Sequence, residues 1–139
     1  MTHKSSKVAE RVAPFGGGRW DARYLGWFDC FNRQEFYEAH DVLEDLWLED
    51  RRGPDGDFFK GLIQLAGAFV HLQKERLRPA EALFQLADRH LARYPARHWG
   101  TDVEALRRLI AEWRAALAAG EFAINPLRTR SAPGCRWPE

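Results

Sequence analysis

The chain has 139 residues, of which 45% are hydrophobic and 29% are charged, proportions typical of an ordinary globular domain. Its formal net charge of +1 gives no bulk electrostatic reason to expect nucleic acid or an anionic membrane as a partner. No apolar run approaches the roughly 18 residues that a membrane span needs, and the first residues lack the apolar core of a secretory signal. Its two cysteines have no metal-type spacing, so we expect a reduced, cytoplasmic protein.

The chain divides by composition into three parts. Residues 1–18 are polar and end in a triple glycine, so we expect a flexible N-terminal arm. Residues 19–120 are predicted to form one helical bundle domain, beginning with a short aromatic helix. Residues 121–139 hold a few apolar side chains among prolines and arginines, and we expect this extension to dock on the bundle or on a partner.

A clear helix start is predicted at Asn32. Asparagine is a good N-cap residue, and Glu35 three positions later completes a variant of the capping box. Phe31 before the cap and Phe36 after it match a hydrophobic staple. The pattern predicts an amphipathic helix that continues to about residue 48.

The next helix, at about residues 57–75, is apolar on nearly every side, as a helix in the centre of a domain should be. Lys60, Gln64 and His71 nevertheless fall in one narrow stripe of the helical wheel, together with Gly67. A glycine within a helix costs about 1 kcal/mol relative to alanine, so we expect the preceding helix to approach closely there. The short connection makes that helix the antiparallel neighbour.

Buried polar side chains need hydrogen-bond partners, and the preceding helix offers two at the edge of its apolar face. His40 and Glu44 lie four residues apart and are therefore neighbours on the helix surface. Glu38 lies on the polar side of that helix and joins the set only through the family pattern given below. We call the predicted set the polar seam: Glu38, His40, Glu44, Lys60, Gln64 and His71.

Two further helices complete the prediction, which is an all-α compact bundle of about five helices with antiparallel hairpins around the central helix. The last helix opens with Thr101-x-x-Glu104, another capping box, and ends at Gly120. Its apolar residues follow the spacing of a coiled-coil seam, so we expect self-association through this helix or the tail. His90 and His98, near a helix end and in a loop, are expected to be solvated.

The segment FNRQEFYEAHDVLEDLW followed by FFKGLIQLAGAFVHLQKE resembles the two-part signature of a small all-helical prokaryotic family, the domain of unknown function 309. The family pattern combines Glu-x-His, a Glu and a Trp with a second helix that carries Gly-Leu-Ile-Gln and a His. The residues here that match it are Glu38, His40, Glu44, Trp47, Gly61, Leu62, Ile63, Gln64 and His71. The resemblance covers about residues 24–95 and implies a compact helical bundle, but it implies no activity.

One hypothesis makes the polar seam catalytic. His40 and Glu44 could ligate a divalent metal together with His71, with Gln64 in support, as in a hydrolytic centre that keeps an open coordination position. A metal-free variant uses His71 or His40 as a base oriented by Glu44.

The hypothesis that we favour is a non-catalytic binding or scaffold module. In it, a buried network of His40, Glu44, Gln64 and His71 fixes the register of two helices. This hypothesis predicts a homodimer or other homo-oligomer without a cofactor, nucleic acid or membrane. A small-molecule ligand is compatible with it.

Overall fold

The computed structural model describes residues 3–139, with side chains from residue 7 onward, and this part of the chain is all-α as predicted. Its six α-helices are α1 (His3–Val12), α2 (Ala22–Asn32), α3 (Phe36–Glu49), α4 (Gly56–Gln73), α5 (Leu77–Leu91) and α6 (Val103–Ala119). Between α5 and α6, a two-residue strand β1 (Arg97–His98) pairs antiparallel with β2 (Thr101–Asp102). Single 3-10 turns occupy Ala13–Phe15 and Pro126–Arg128.

Helix α4 lies at the centre of the bundle, as its all-round hydrophobicity predicts. Twelve of its 18 residues are buried, and it packs against α3 on one side and α5 on the other. Helix α2 covers α3, and α6 covers α5. The bundle is therefore built from consecutive neighbours, which keeps α3, α4 and α5 side by side.

Phe69 of α4 joins most of these helices through its aromatic ring. The ring stacks on Phe36 at a centroid distance of 4.9 Å and meets Phe31, Phe84 and Trp113 edge to face at 4.8–5.6 Å. Offset-stacked and edge-to-face pairs are the favoured arrangements of aromatic rings. Phe69 thus connects α2, α3, α5 and α6 in one core.

The segment predicted as a flexible arm, residues 1–18, contains a helix. Residues 3–12 form α1, and Val8 and Val12 are buried against the bundle. These two valines are four residues apart and share one helix face. Gly26 of α2 makes room for this packing, because a Cβ at that position would lie 2.6 Å from Cγ1 of Val12. Met1 and Thr2 lie outside the described residues.

The capping box predicted at Asn32 is wrong. Helix α2 runs through Asn32, and α3 begins only at Phe36, where no side chain caps the helix. The Asn32 side chain instead pairs with the main chain of Cys135, donating Nδ2–H to its carbonyl at 2.9 Å and accepting its N–H at 2.7 Å. The contact predicted for the staple does form, with the rings of Phe31 and Phe36 5.0 Å apart.

The capping box predicted at Thr101 is also wrong, by one residue. Asp102 caps α6 by accepting the N–H of Ala105 at 2.9 Å. The hydroxyl of Thr101 lies 2.6 Å from the hydroxyl of Tyr24 in the core. Thr101 does not cap the helix because its buried hydroxyl is already hydrogen-bonded to Tyr24, and a buried hydroxyl needs such a partner.

The C-terminal residues pack along the bundle. The ring of Trp137 lies 5.6 Å from that of Phe15 and 6.4 Å from that of Phe28. The main-chain N–H of Glu139 donates to the carbonyl of Gly100 at 3.0 Å. Together with the Cys135 pairing, these contacts hold the segment against α2, the first 3-10 turn and the turn between β1 and β2.

The coiled-coil-like spacing of α6 serves packing within the monomer. All five of its seam residues are buried in the bundle: Val103, Leu106, Ile110, Trp113 and Leu117. The face on which self-association was predicted is therefore already covered. Among the described helices, none has both the length and the apolar character needed to cross a bilayer.

Candidate functional site

Helices α3, α4 and α5 border an open cavity of about 260 Å³, which we call the cleft. Four members of the polar seam line it, namely His40 from α3 and Lys60, Gln64 and His71 from α4. The stripe that the helical wheel predicts for α4 therefore faces one cavity. The remaining lining is Tyr37, Ile63, Gly67, Val70 and Leu83.

His40 and Glu44 meet as their spacing predicts. The Nε2 atom of His40 lies 3.4 Å from Oε2 of Glu44, and its Nδ1 atom lies 3.4 Å from Oδ1 of Asp41. The ring of Tyr37 stacks on the imidazole at a centroid distance of 6.1 Å. Carboxylates thus lie within ion-pair distance of both ring nitrogens, although Nδ1 makes no hydrogen bond among the described residues.

The hydrogen-bond partner of Gln64 is His90 on α5, a histidine that the sequence predicted to be solvated. Nδ1 of His90 lies 2.7 Å from Oε1 of Gln64 and donates its proton to that oxygen. Gln64 is only 8% exposed, so this bond satisfies a buried carbonyl. Burial lowers the pKa of His90 below its ordinary value of 6.5, against an opposing contribution from Asp57, and the ring is neutral at pH 7.

His98, the other histidine expected to be solvated, is also partnered. Its Nε2 atom lies 2.7 Å from Oδ1 of Asp55, and its ring meets that of Phe58 edge to face at 4.9 Å. Both contacts hold the β1 strand against the start of α4. They lie in a different part of the bundle from the residues that line the cleft.

Lys60 lies over an aromatic ring instead of joining the predicted network. Its Nζ is 4.3 Å from the ring centroid of Trp47 on α3, a cation–π contact. The described part of the chain gives Lys60 no carboxylate within ion-pair distance. The cation is therefore positioned at the cleft without being neutralised.

His71 borders the cleft without a hydrogen-bond partner for its Nδ1 atom among the described residues. Burial lowers the pKa of His71 from 6.5, and the nearby cations Arg76 and Lys74 lower it further. The imidazole is thus neutral at pH 7. The predicted network of His40, Glu44, Gln64 and His71 reduces to two separate pairs, His40 with Glu44 and Gln64 with His90.

The close helix approach predicted at Gly67 occurs six residues earlier, at Gly61, and it involves α5. A Cβ at Gly61 would lie 2.9 Å from Cγ of Leu91 and 3.3 Å from the carbonyl of Ala87. At Gly67 it would meet only Cδ1 of Leu83, at 3.2 Å. The absent side chain at Gly67 therefore leaves space in the cleft.

Glu38 lies outside the cleft. It is exposed and lines a separate cavity between α1 and α3, of about 530 Å³, together with Lys7 and Arg11. Among the side chains that the structure describes, from residue 7 onward, no three histidines, cysteines or carboxylates are grouped so that they could hold a metal ion. The proposed ligand set of His40, Glu44 and His71 is thus represented only by the His40–Glu44 pair.

Comparisons with known proteins give one match. Residues 25–83 match the model of a protein family described as Domain of unknown function (DUF309). The family resemblance noted in the sequence is confirmed over this segment, which runs from α2 into α5 and contains all six residues of the polar seam. The comparisons with curated proteins and with solved structures each give no match.

Proposed function

Because residues 25–83 match the model of the domain of unknown function 309 family, whose description carries no activity, we propose a function from the geometry of the cleft. This protein is a non-catalytic module that binds a small molecule there. The observation that carries the proposal is the convergence of His40, Lys60 and Gln64 on one apolar-walled cavity. A few convergent polar groups in an otherwise apolar concavity are the usual composition of a ligand site.

The chemistry of the lining favours binding over catalysis. The described cleft residues include no serine, cysteine or threonine that could act as a nucleophile. Gln64 and His71 are each neutral at pH 7, and the aliphatic walls contributed by Ile63, Val70 and Leu83 suit a ligand's apolar part. The cleft therefore has the side chains needed to bind a small molecule but few that could catalyse its reaction.

The test is a nuclear magnetic resonance titration of the full chain with a library of small fragments. Fragments that bind the cleft will shift the side-chain amide signals of Gln64 and the backbone signals around Gly67. Gly67→Leu fills the cleft from within and should abolish these shifts, whereas Ala118→Leu adds the same side chain on the exposed face of α6 and should leave them intact. Fragments that bind both variants equally, or none that shift Gln64, would refute the proposal.

The alternative is a metal-dependent hydrolase, which the 3.4 Å contact between His40 and Glu44 favours because a histidine–carboxylate pair is a common part of metal sites. Metal analysis of protein purified without a metal-affinity tag separates the two proposals. The hydrolase requires stoichiometric metal that is lost in His40→Ala and in His71→Ala while both variants stay folded. The binding module requires no metal at all.

We also propose a homo-oligomer in the cytoplasm; because the apolar seam of α6 is buried within the chain, the contact between subunits would use another surface. Both cysteines, Cys30 and Cys135, are free thiols, which suits a reducing compartment. Light scattering over a concentration series tests self-association, and a mass equal to the monomer at every concentration would contradict it.

A further inference from the structure

The charge at the cleft singles out Lys60. Several arginines elsewhere in the bundle are paired with carboxylates, as in Arg93–Asp57, Arg107–Asp88 and Arg114–Glu81. Among the described residues, the partner of Lys60 is the face of Trp47, which orients the ammonium but supplies no opposite formal charge. Its full positive charge is therefore available to a molecule in the cleft.

The Gln64 side chain adds a second donor beside this charge. Its oxygen is occupied by His90, so the amide nitrogen, which carries two protons, is the group left for a ligand. Among the described residues this nitrogen makes no hydrogen bond, and it is not among the fully buried polar atoms that lack a partner. Since Gln64 as a whole is only 8% exposed, we infer that its amide nitrogen is open toward the cleft. Because Lys60 and Gln64 are four residues apart on α4, their donors lie on the same helix face.

The volume of the cleft and its apolar lining determine the size and polarity of the rest of the ligand. A cavity of about 260 Å³ has room for roughly eight or nine atoms the size of a water molecule. Ile63, Val70 and Leu83 offer no polar side-chain atom to such a molecule, so its body should be apolar. The polar contacts, by contrast, call for an acceptor that carries negative charge.

We propose that the ligand of this cleft is a small apolar monocarboxylate, an inference that rests on the proposed binding function. The carboxylate accepts from Nζ of Lys60 and from Nε2 of Gln64, and the hydrocarbon part lies along Ile63, Val70 and Leu83. Charge-assisted hydrogen bonds of this kind are stronger than bonds between neutral groups. Neutral or cationic molecules of the same shape lose that interaction.

Benzoate, benzamide and benzamidine test the ligand class, because they share one shape and differ in charge. In the titration that follows the Gln64 amide signals, benzoate should bind at least about tenfold more tightly than the other two, the factor expected for one charge-assisted hydrogen bond. Lys60→Met should reduce the benzoate affinity to that of benzamide. Arg108→Met removes one exposed positive charge away from the cleft and should leave benzoate binding unchanged.

The outcomes separate this inference from the proposed function. If the three probes shift the Gln64 signals and bind with equal affinity, the carboxylate ligand class is overturned, but the proposal that the cleft binds small molecules is retained. Benzoate binding that Lys60→Met does not weaken also overturns it. If neither the three probes nor the fragment library shifts the amide signals of Gln64, both the carboxylate ligand and the binding function are overturned.

Discussion

His90 donates its Nδ1–H to Oε1 of Gln64 across 2.7 Å and so ties α5 to a buried amide of α4. This one bond decides which end of the amide faces the cleft. With the oxygen held by His90, the nitrogen is the atom left for a ligand. Because His90 of α5 holds the oxygen of Gln64, the end of the amide that faces the cleft is a hydrogen-bond donor.

Loss of His90 should destabilise the fold. In His90→Leu the oxygen of Gln64 stays buried without a donor, and we expect the free energy of unfolding to fall by about 1–3 kcal/mol. Urea unfolding measures this change, and Arg89→Leu, at the exposed neighbouring position, serves as the control. The double variant Gln64→Leu with His90→Leu removes both partners, so its loss should be smaller than the sum of the single losses. Simple additivity would contradict the role given to this bond.

The stability of the protein should depend on pH near neutrality. Burial lowers the folded-state pKa of both His71 and His90 below the ordinary 6.5. As the pH falls below 6.5 the unfolded chain binds these protons first, so stability is lost on acidification and regained as the pH rises. Carboxylates titrate mostly below this window.

Urea unfolding at pH 7.5 and at pH 5.5 measures this dependence. The wild-type protein should be less stable at pH 5.5, and His71→Leu should lose less stability over the same interval because one titrating group is gone. An equal pH dependence in the wild type and in His71→Leu would show that His71 does not titrate as its environment indicates.

Local periodicity was sufficient to predict which polar residues of α4 line the cleft, although it placed Ile63 and Val70, which also line the cleft, on other sides of the helix. Lys60, Gln64 and His71 share a stripe by helix geometry alone, and all three border the cavity. Their partners could not be predicted in the same way. The contact between Gln64 and His90 joins residues 26 apart, and it depends on how α5 is rotated against α4, which residue spacing does not specify.

The two wrong caps have a similar cause. The pattern that begins at Asn32 satisfies the rule for a helix start, but the rule considers only neighbours in sequence. Asn32 is engaged by Cys135, which lies 103 residues further along the chain. Thr101 is engaged by Tyr24 in the core. A tertiary partner can claim the same side chain that a local motif needs.

The Asn32 pairing makes a prediction about the C-terminal segment. Asn32→Ala removes both hydrogen bonds to Cys135 and should expose its amide to solvent, with a loss of about 1–3 kcal/mol for two bonds. Amide hydrogen exchange should therefore accelerate at Cys135 and at the residues around Trp137. The first turn of α3 should keep its protection, because Asn32 does not cap it.

Arg33→Ala is the matched control for Asn32→Ala. Arg33 is next in sequence, and its exposed pair with Asp29 is of a kind that contributes little. Faster exchange at the start of α3 in Asn32→Ala, with the amide of Cys135 still protected, would restore the capping role predicted from sequence.

Two interior glycines of α4, Gly61 and Gly67, should respond oppositely to alanine. At Gly61 the new methyl group would lie 2.9 Å from Cγ of the fully buried Leu91 and 3.3 Å from a backbone oxygen, and neither can move aside easily. We expect Gly61→Ala to destabilise the protein by about 1–3 kcal/mol, the usual cost of overpacking. At Gly67 the only close atom is the tip of Leu83, so the gain in helix propensity, about 0.5–1 kcal/mol, should prevail.

Urea unfolding of the two variants side by side measures this difference, with each glycine serving as the control for the other. The comparison also tests where α4 is approached most closely. The structure gives that position to Gly61 and α5, whereas the sequence predicted Gly67 and α3. If Gly67→Ala lost as much stability as Gly61→Ala, the space at Gly67 would be occupied by protein, and the cleft would be too narrow for a ligand.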